Sequence, residues 1–324
     1  MHTETHIDID FPESLTQRGS APLPHWGVIQ AQGEEAAHFL HNQLTQDVLL
    51  LPVGQSRLAA FCSAKGRMQA SFVLIKTAPD TVLLIVSQDL LAATLKRLSM
   101  FVMRAKVKLT DASKQWQLRG LLGDSSQALL INAEPWYTVT HNGAYAVALY
   151  PAKIGERTIP RALWLAPASQ AMPEEPEIST QLWQWTEVMS GVTLLSHALF
   201  EVFVPQMLNY ESLGGVNFKK GCYPGQEVVA RSQFRGTLKR RAALVHSDVT
   251  LKAGQEVFTL TDPEQACGTV VLAASRPHEA GKPQGFDALV SGTLESMQTG
   301  WQLSAADGDK LILLPLPYTL LEDI

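Results

Sequence analysis

The chain has 324 residues, a formal net charge of −5, and 46% hydrophobic against 18% charged residues. This composition excludes extensive disorder, supplies apolar mass for two or three domains, and argues against general nucleic-acid binding by an acidic chain. The longest apolar runs, Val82 to Val86 and Leu311 to Pro317, are too short to cross a bilayer as helices, and three scattered cysteines (Cys62, Cys222, Cys267) make no disulfide framework.

The start is acidic, with neither the apolar core of a secretory signal nor the arginine bias of a transit peptide, so a cytoplasmic location is expected. From Leu23 to Gln30 a proline turn carrying Trp26 leads into a short apolar element. Glu34 to Leu44 then has helical spacing through Ala37, Leu40 and Leu44. Val53 to Arg57 opens a new region. Gln69 to Lys76 and Thr81 to Val86 are predicted strands joined by the turn at Ala78 to Asp80. Ser87 to Asp89 has the character of a helix cap, and apolar residues at 91, 95, 98 and 102 predict a helix covering a sheet. Further strands are expected at Val107 to Thr110, Leu118 to Leu122, Ala144 to Tyr150 and Arg161 to Leu165. Ala168 to Glu177, rich in proline and acid, is a surface linker, and a helix from Leu182 to Ser190 ends at Gly191. Another helix is expected from Gln226 to Phe234. The strands Ala242 to His246, Gly254 to Phe258, Gly268 to Leu272 and Asp287 to Val290 then predict a small C-terminal β-barrel. The fold class is α+β.

The most specific segment for chemistry is Asn217 to Arg231, which holds Cys222. Lys219 and Lys220 precede the thiol, Gly221 and Gly225 bracket it, Pro224 stiffens the turn, and a helix begins near Gln226. Cations and free amides at a helix start favour a thiolate, so Cys222 is the candidate reactive group, with Lys219 and Lys220 its stabilising candidates. An inert cysteine in a basic turn is the alternative. His197 and His246 are candidate bases for Cys222, but sequence spacing supplies no distance. Between Asn217 and Arg241 seven basic residues, including Arg235, face one acid, Glu227, which reads as either a solvated face or an anion site. Cysteines and histidines lack metal-ligand spacing, so no stably bound metal is expected. Trp183 and Trp185, two apart on a helix, point to different sides; with Trp26 they are core anchors or faces for stacking a flat heterocycle.

Lys220 to Glu227, its continuation Arg231 to Arg240 and the preceding Leu213 to Lys219 resemble the signature of the YgfZ family, folate-binding relatives of the glycine-cleavage T-protein. Asn42 to Val48 and Cys62 to Arg67 extend the resemblance over nearly the whole chain. The resemblance implies a ring of three domains: residues 1–50 as the first part of a discontinuous folate-binding domain, 51–112 as an inserted α+β domain, 113–238 as the remainder of the first, and 239–324 as the barrel. It further implies a tetrahydrofolate derivative as cofactor, held at Trp26 and Trp183, with Cys222 as the key thiol. The expected role is support of the assembly or repair of iron-sulfur enzymes, including radical tRNA-modifying enzymes, and thereby tRNA methylthiolation. A weak tRNA contact and no membrane contact accompany it. One-carbon transfer to an unknown acceptor and a non-enzymatic tRNA or protein adaptor are the alternatives. Aminomethyltransferase chemistry itself is not expected, because Gly66 to Ser71 lacks the acids that T-proteins carry there.

Overall fold

The computed structural model describes residues 18–171, 174–234, 238–277, 285–303 and 308–321; the acidic start and Arg235 lie outside them. The chain begins in one sheet, leaves it at once, and comes back. The strand Arg18–Pro22 pairs with Trp116–Gly123, which is followed across the sheet by Arg157–Pro167, Ala144–Ile154 and Thr138–His141, all antiparallel. Between the first two of these strands, the chain builds a second five-stranded sheet in the order Ser56–Cys62, Met68–Ala78, Thr81–Ser87, Trp26–Gln32, Lys108–Asp111.

The strand Trp26–Gln32 is therefore an inner member of the second sheet, paired with Thr81–Ser87 on one side and Lys108–Asp111 on the other. The division expected at 50/51 runs through this unit, because a seven-residue strand before that point supplies ladder hydrogen bonds to strands after it. The strands Met68–Ala78 and Thr81–Ser87 are buried along nearly their whole length, which explains why they read as continuous apolar runs. The helix Gln88–Val102 covers them with Leu90, Leu91, Thr94 and Leu98. A wholly buried leucine such as Leu98 contributes about 2 kcal/mol relative to exposure.

The C-terminal third closes into a six-stranded barrel, in the order Arg240–Ser247, Phe286–Thr293, Ala266–Ser275, Glu256–Thr259, Trp301–Gln302, Lys310–Leu314. Its interior is filled by Val245, Val257, Val270, Val290 and Trp301. Closure removes the unpaired strand edges that short antiparallel sheets otherwise expose.

The helix Thr180–Met189 ties the three sheets together. Ser179 Oγ caps it by accepting from Leu182 N at 3.1 Å. Its two tryptophans diverge as the helical period requires. Trp185 Nε1 donates to Asp287 Oδ2 of the barrel at 2.7 Å, whereas Trp183 packs on Gly120 of the first sheet. Asp287 is completely buried and also accepts from His246 Nδ1 (2.8 Å) and Arg276 Nε and Nη2 (3.0 and 2.8 Å). Burial alone would raise this carboxyl; the hydrogen bonds from His246 and Arg276 outweigh it and hold the group below the usual carboxylate range. Among the described residues, no helix is long and apolar enough to cross a membrane.

Candidate functional site

A cavity of about 580 Å³ opens between the helix Thr180–Met189, the two sheets and the barrel strand Ala266–Ser275, all of which contribute to its lining. That size suits a small-molecule ligand. Its polar groups come from segments far apart in sequence. His25 and Trp26 enter from the start of the second sheet, Asp89 from the helix Gln88–Val102, Arg161 from the first sheet, Glu187 from the linking helix, and Ser196 from the loop after it.

Arg161 is placed by a bulge. The ladder between Arg157–Pro167 and Ala144–Ile154 shifts register between Ile159 and Arg161, at Pro160, which has no amide hydrogen to donate. The guanidinium is buried: Nε donates to Thr186 Oγ1 (3.1 Å), Nη1 to the Tyr150 carbonyl (3.4 Å), and its face lies 4.4 Å from the Trp183 ring centroid. Burial lowers it to about 10, although nearby Glu187 acts in the opposite direction. Its Nη2 has no hydrogen-bond partner. The same holds for His25 Nδ1 and Ser196 Oγ, so three cavity-lining residues carry buried polar atoms left unsatisfied. Each such atom costs about 1–3 kcal/mol, so the residues around this cavity carry polar groups whose bonding capacity the chain itself leaves unfilled.

Glu187 supplies the opposite polarity. Oε1 accepts from Trp183 Nε1 at 2.9 Å, and the carboxylate lies 3.1–3.2 Å from His25 Nε2, leaving lone pairs free for a ligand's N–H groups. Trp183 itself is fully buried and does not line the cavity. It stacks under Arg161 and bonds to Glu187, on a floor made by Gly120, where any Cβ would come within 2.4 Å of the indole. Of the two tryptophans singled out by resemblance, Trp26 reaches the cavity and Trp183 holds the groups that do. Asp89 also faces the cavity, but its oxygens accept from Ser87 Oγ (2.7 Å) and His197 N (2.9 Å), so it is no free base.

Cys222 is exposed, and neither it nor Lys220 lines this cavity. Its loop instead joins three of the other segments that carried the family resemblance. Thr45 Oγ1 donates to the Gly215 carbonyl (2.7 Å), Gln46 Nε2 to the Gly214 carbonyl (2.7 Å), and Asn217 N to the Thr45 carbonyl (2.9 Å). Gly225, at φ +81°, lies so close to the turn after Cys62 that a Cβ would be 2.4 Å from the Ser63 carbonyl oxygen.

Lys220 does not lie free beside the thiol. Its ammonium is buried against the His41 and Leu44 carbonyls, the latter at 3.0 Å, and over the Tyr223 ring at 4.7 Å; burial lowers it to about 8. It satisfies carbonyls at the end of the helix Ala36–His41. Lys219 is exposed. The histidine against the cysteine loop is neither of those proposed from sequence: His41 Nδ1 lies 3.2 Å from Asp47 Oδ1, and its Nε2 would be 3.6 Å from a Cβ on Gly221. Burial, and secondarily Lys220, lower His41 below the usual imidazole value, with Asp47 opposing them. His246 is committed to Asp287 in the barrel seam. The basic stretch is likewise no continuous anion face. Arg231 pairs with Glu227, Arg240 donates to the Cys267 carbonyl, and Arg241 forms a buried pair with Glu211. Among the described residues no cluster of three or more histidines, cysteines or acids could hold a metal.

Residues 17–147 match the family model of the GCVT N-terminal domain. A tRNA-modifying protein YgfZ from Photorhabdus laumondii is 27% identical over 312 residues, covering 93% of this chain and 92% of its own length. The YgfZ of Hamiltonella defensa is 30% identical over 237 residues, 67% of each chain. The structure of aminomethyltransferase T of the glycine cleavage system from Bartonella henselae superposes with a TM-score of 0.65 at 14% identity, covering 93% of this chain and 86% of that one. The α+β fold with its closed barrel is thus of the T-protein type.

Proposed function

This chain belongs to the YgfZ family, and from that premise we propose that its central cavity binds a reduced folate in a ring of three units. The bound protein supports the assembly or repair of iron-sulfur enzymes and thereby tRNA methylthiolation. The observation that carries the folate assignment is the set of unsatisfied buried atoms on His25, Arg161 and Ser196 beside the Glu187 carboxylate. A pterin edge presents adjacent N–H donors and a carbonyl oxygen, the complement of a carboxylate and a guanidinium with one nitrogen, Nη2, still without a partner. Glu187 takes the N–H groups, Arg161 Nη2 donates to the oxygen, and Trp26 supplies an aromatic wall. Trp183 acts through Arg161 and Glu187.

Cys222 is the working thiol in this reading and acts outside the folate cavity, on the exposed loop where a partner enzyme can reach it. The resident folate supplies one-carbon chemistry when loaded; this chain's own residues bind and orient it. Calorimetric titration with 5-formyltetrahydrofolate tests the assignment. The wild type is expected to bind, and Glu187→Gln to bind at least about tenfold more weakly, the loss of one charge-assisted hydrogen bond. A wild type that shows no binding removes the folate reading. Separately, Cys222→Ala is expected to lower methylthiolated tRNA in cells; unchanged levels would remove the thiol from the mechanism.

A further inference from the structure

The loop that carries Cys222 begins beside a second cavity, of about 560 Å³, which the central site does not use. Three segments of the chain line it. The strand Ser56–Cys62 contributes Arg57, the turn before Thr138–His141 contributes Glu134, Trp136 and Tyr137, and the approach to Cys222 contributes Phe218 and Lys219. Trp136 borders both cavities and is buried, with its backbone at φ +71°, a region that a bulky residue rarely occupies. Three bonds hold it there: its amide donates to the Ala148 carbonyl (2.7 Å), its carbonyl accepts from Ser56 Oγ (2.7 Å), and its indole donates to the Leu213 carbonyl (2.8 Å). Backbone strain of this kind concentrates at ligand clamps. The wall is fixed, so a molecule on its far side is a ligand in its own right and not an extension of the central one.

The charged groups on this second cavity are of both signs, and they do not neutralise one another. Half-buried Arg57 spends Nη1 on the Ser56 carbonyl (2.7 Å), which leaves its remaining N–H groups open, and Lys219 is exposed. Among the described residues, no opposite charge pairs with Arg57, Lys219 or Glu134. A simple anion would be repelled by Glu134, and a simple cation by Arg57 and Lys219. Two cations and one acid instead complement a molecule with two carboxylates and one ammonium, whose uncharged middle lies against Trp136, Tyr137 and Phe218.

We propose that this cavity binds a small glutamyl peptide, a zwitterion with one free α-ammonium and two carboxylates. Arg57 and Lys219 take the carboxylates, and Glu134 takes the ammonium. The site is independent of the folate reading and lies at the root of the cysteine loop, since Phe218 and Lys219 belong to both.

Calorimetric titration with S-methylglutathione tests the assignment, because this probe has the required charges and no thiol to exchange with Cys222. The wild type is expected to bind it, less tightly at high salt, and the double variant Arg57→Gln, Lys219→Gln to bind about tenfold more weakly, the sum of two partly exposed ion pairs. The wild type should also prefer the probe to its N-acetyl derivative, which has no ammonium, and Glu134→Gln should lose that preference. Saturating 5-formyltetrahydrofolate should leave the affinity for the probe unchanged. A wild type that does not bind the probe overturns the site, as does an unaltered affinity in the folded double variant. Tighter binding of adenosine monophosphate, an anion without an ammonium, would overturn the zwitterion assignment, and competition by the folate would overturn the separateness of the two cavities.

Discussion

Replacing Arg161 by methionine should make the ligand-free protein more stable and abolish its response to folate. The guanidinium is held charged inside the protein, and burial brings it to about 10. Against an ordinary arginine value of roughly 12.5, at about 1.4 kcal/mol per tenfold, its retention costs about 3 kcal/mol. Removing it forfeits the bond to Thr186, the long one to the Tyr150 carbonyl and the stacking on Trp183, together about 2 kcal/mol. Methionine fills similar volume and leaves no orphaned donor. The net expectation is a gain of about 1 kcal/mol, a rise of roughly 1–2 °C in Tm for a chain of this size. The wild type, in contrast, should gain about 2.7 kcal/mol from 5-formyltetrahydrofolate at a hundred times its Kd, and the variant nothing. Thermal melts followed by circular dichroism, with and without ligand, give all four values. An apo variant destabilised by more than about 2 kcal/mol, or one that keeps the ligand shift, would refute the view that Arg161 is a binding group carried at the expense of stability.

Two further outcomes follow from the cysteines and from Lys220. In the native protein iodoacetamide should alkylate the exposed Cys222 first and the half-buried Cys267 more slowly. Cys62, buried and pushed up to about 12 by that burial, should react only on unfolding; peptide mass spectrometry reads the order. Because burial holds folded Lys220 at about 8, the unfolded chain binds more protons between that pH and the ordinary lysine value of roughly 10.4. Its contribution to stability therefore rises with pH across that window, so urea midpoints at pH 7.5 and 9.5 should climb in the wild type relative to Lys220→Met. An identical pH response in both proteins would show that Lys220 is not the group responsible.

The local elements were readable in the sequence because their causes are local. The helix at Gln226–Phe234 and the strand at Thr81–Ser87 follow from caps, turns and apolar spacing, and the barrel from short strands between turn residues. The strand Ser56–Cys62 was not anticipated, since its arginine and alanines give neither clean alternation nor a long apolar run. The site was hidden for a different reason. Arg161 opens an apolar strand, a place where arginine usually faces water, and only the adjacent Pro160 hinted at a bulge that turns it inward. Glu187 looked like a polar residue on an amphipathic helix. Lys220 looked like a cation for the thiol alone because sequence shows charge and not the carbonyls that also hold it.

The two faces of the helix Thr180–Met189 also set an order of assembly. One face presents Glu187 to the cavity and packs Trp183 on the first sheet, while the other is held by Trp185 on Asp287, a residue made about a hundred positions later, and Tyr318 Oη donates to the Gly191 carbonyl just past the helix end. The first two sheets precede the barrel in the chain, and the helix can dock on the first of them through Trp183, but its Trp185 face has no partner until the barrel strand that carries Asp287 is made. The barrel thereby fixes from behind the helix whose front carries Glu187, so the lining of the cavity depends on strands that take no part in its polar groups.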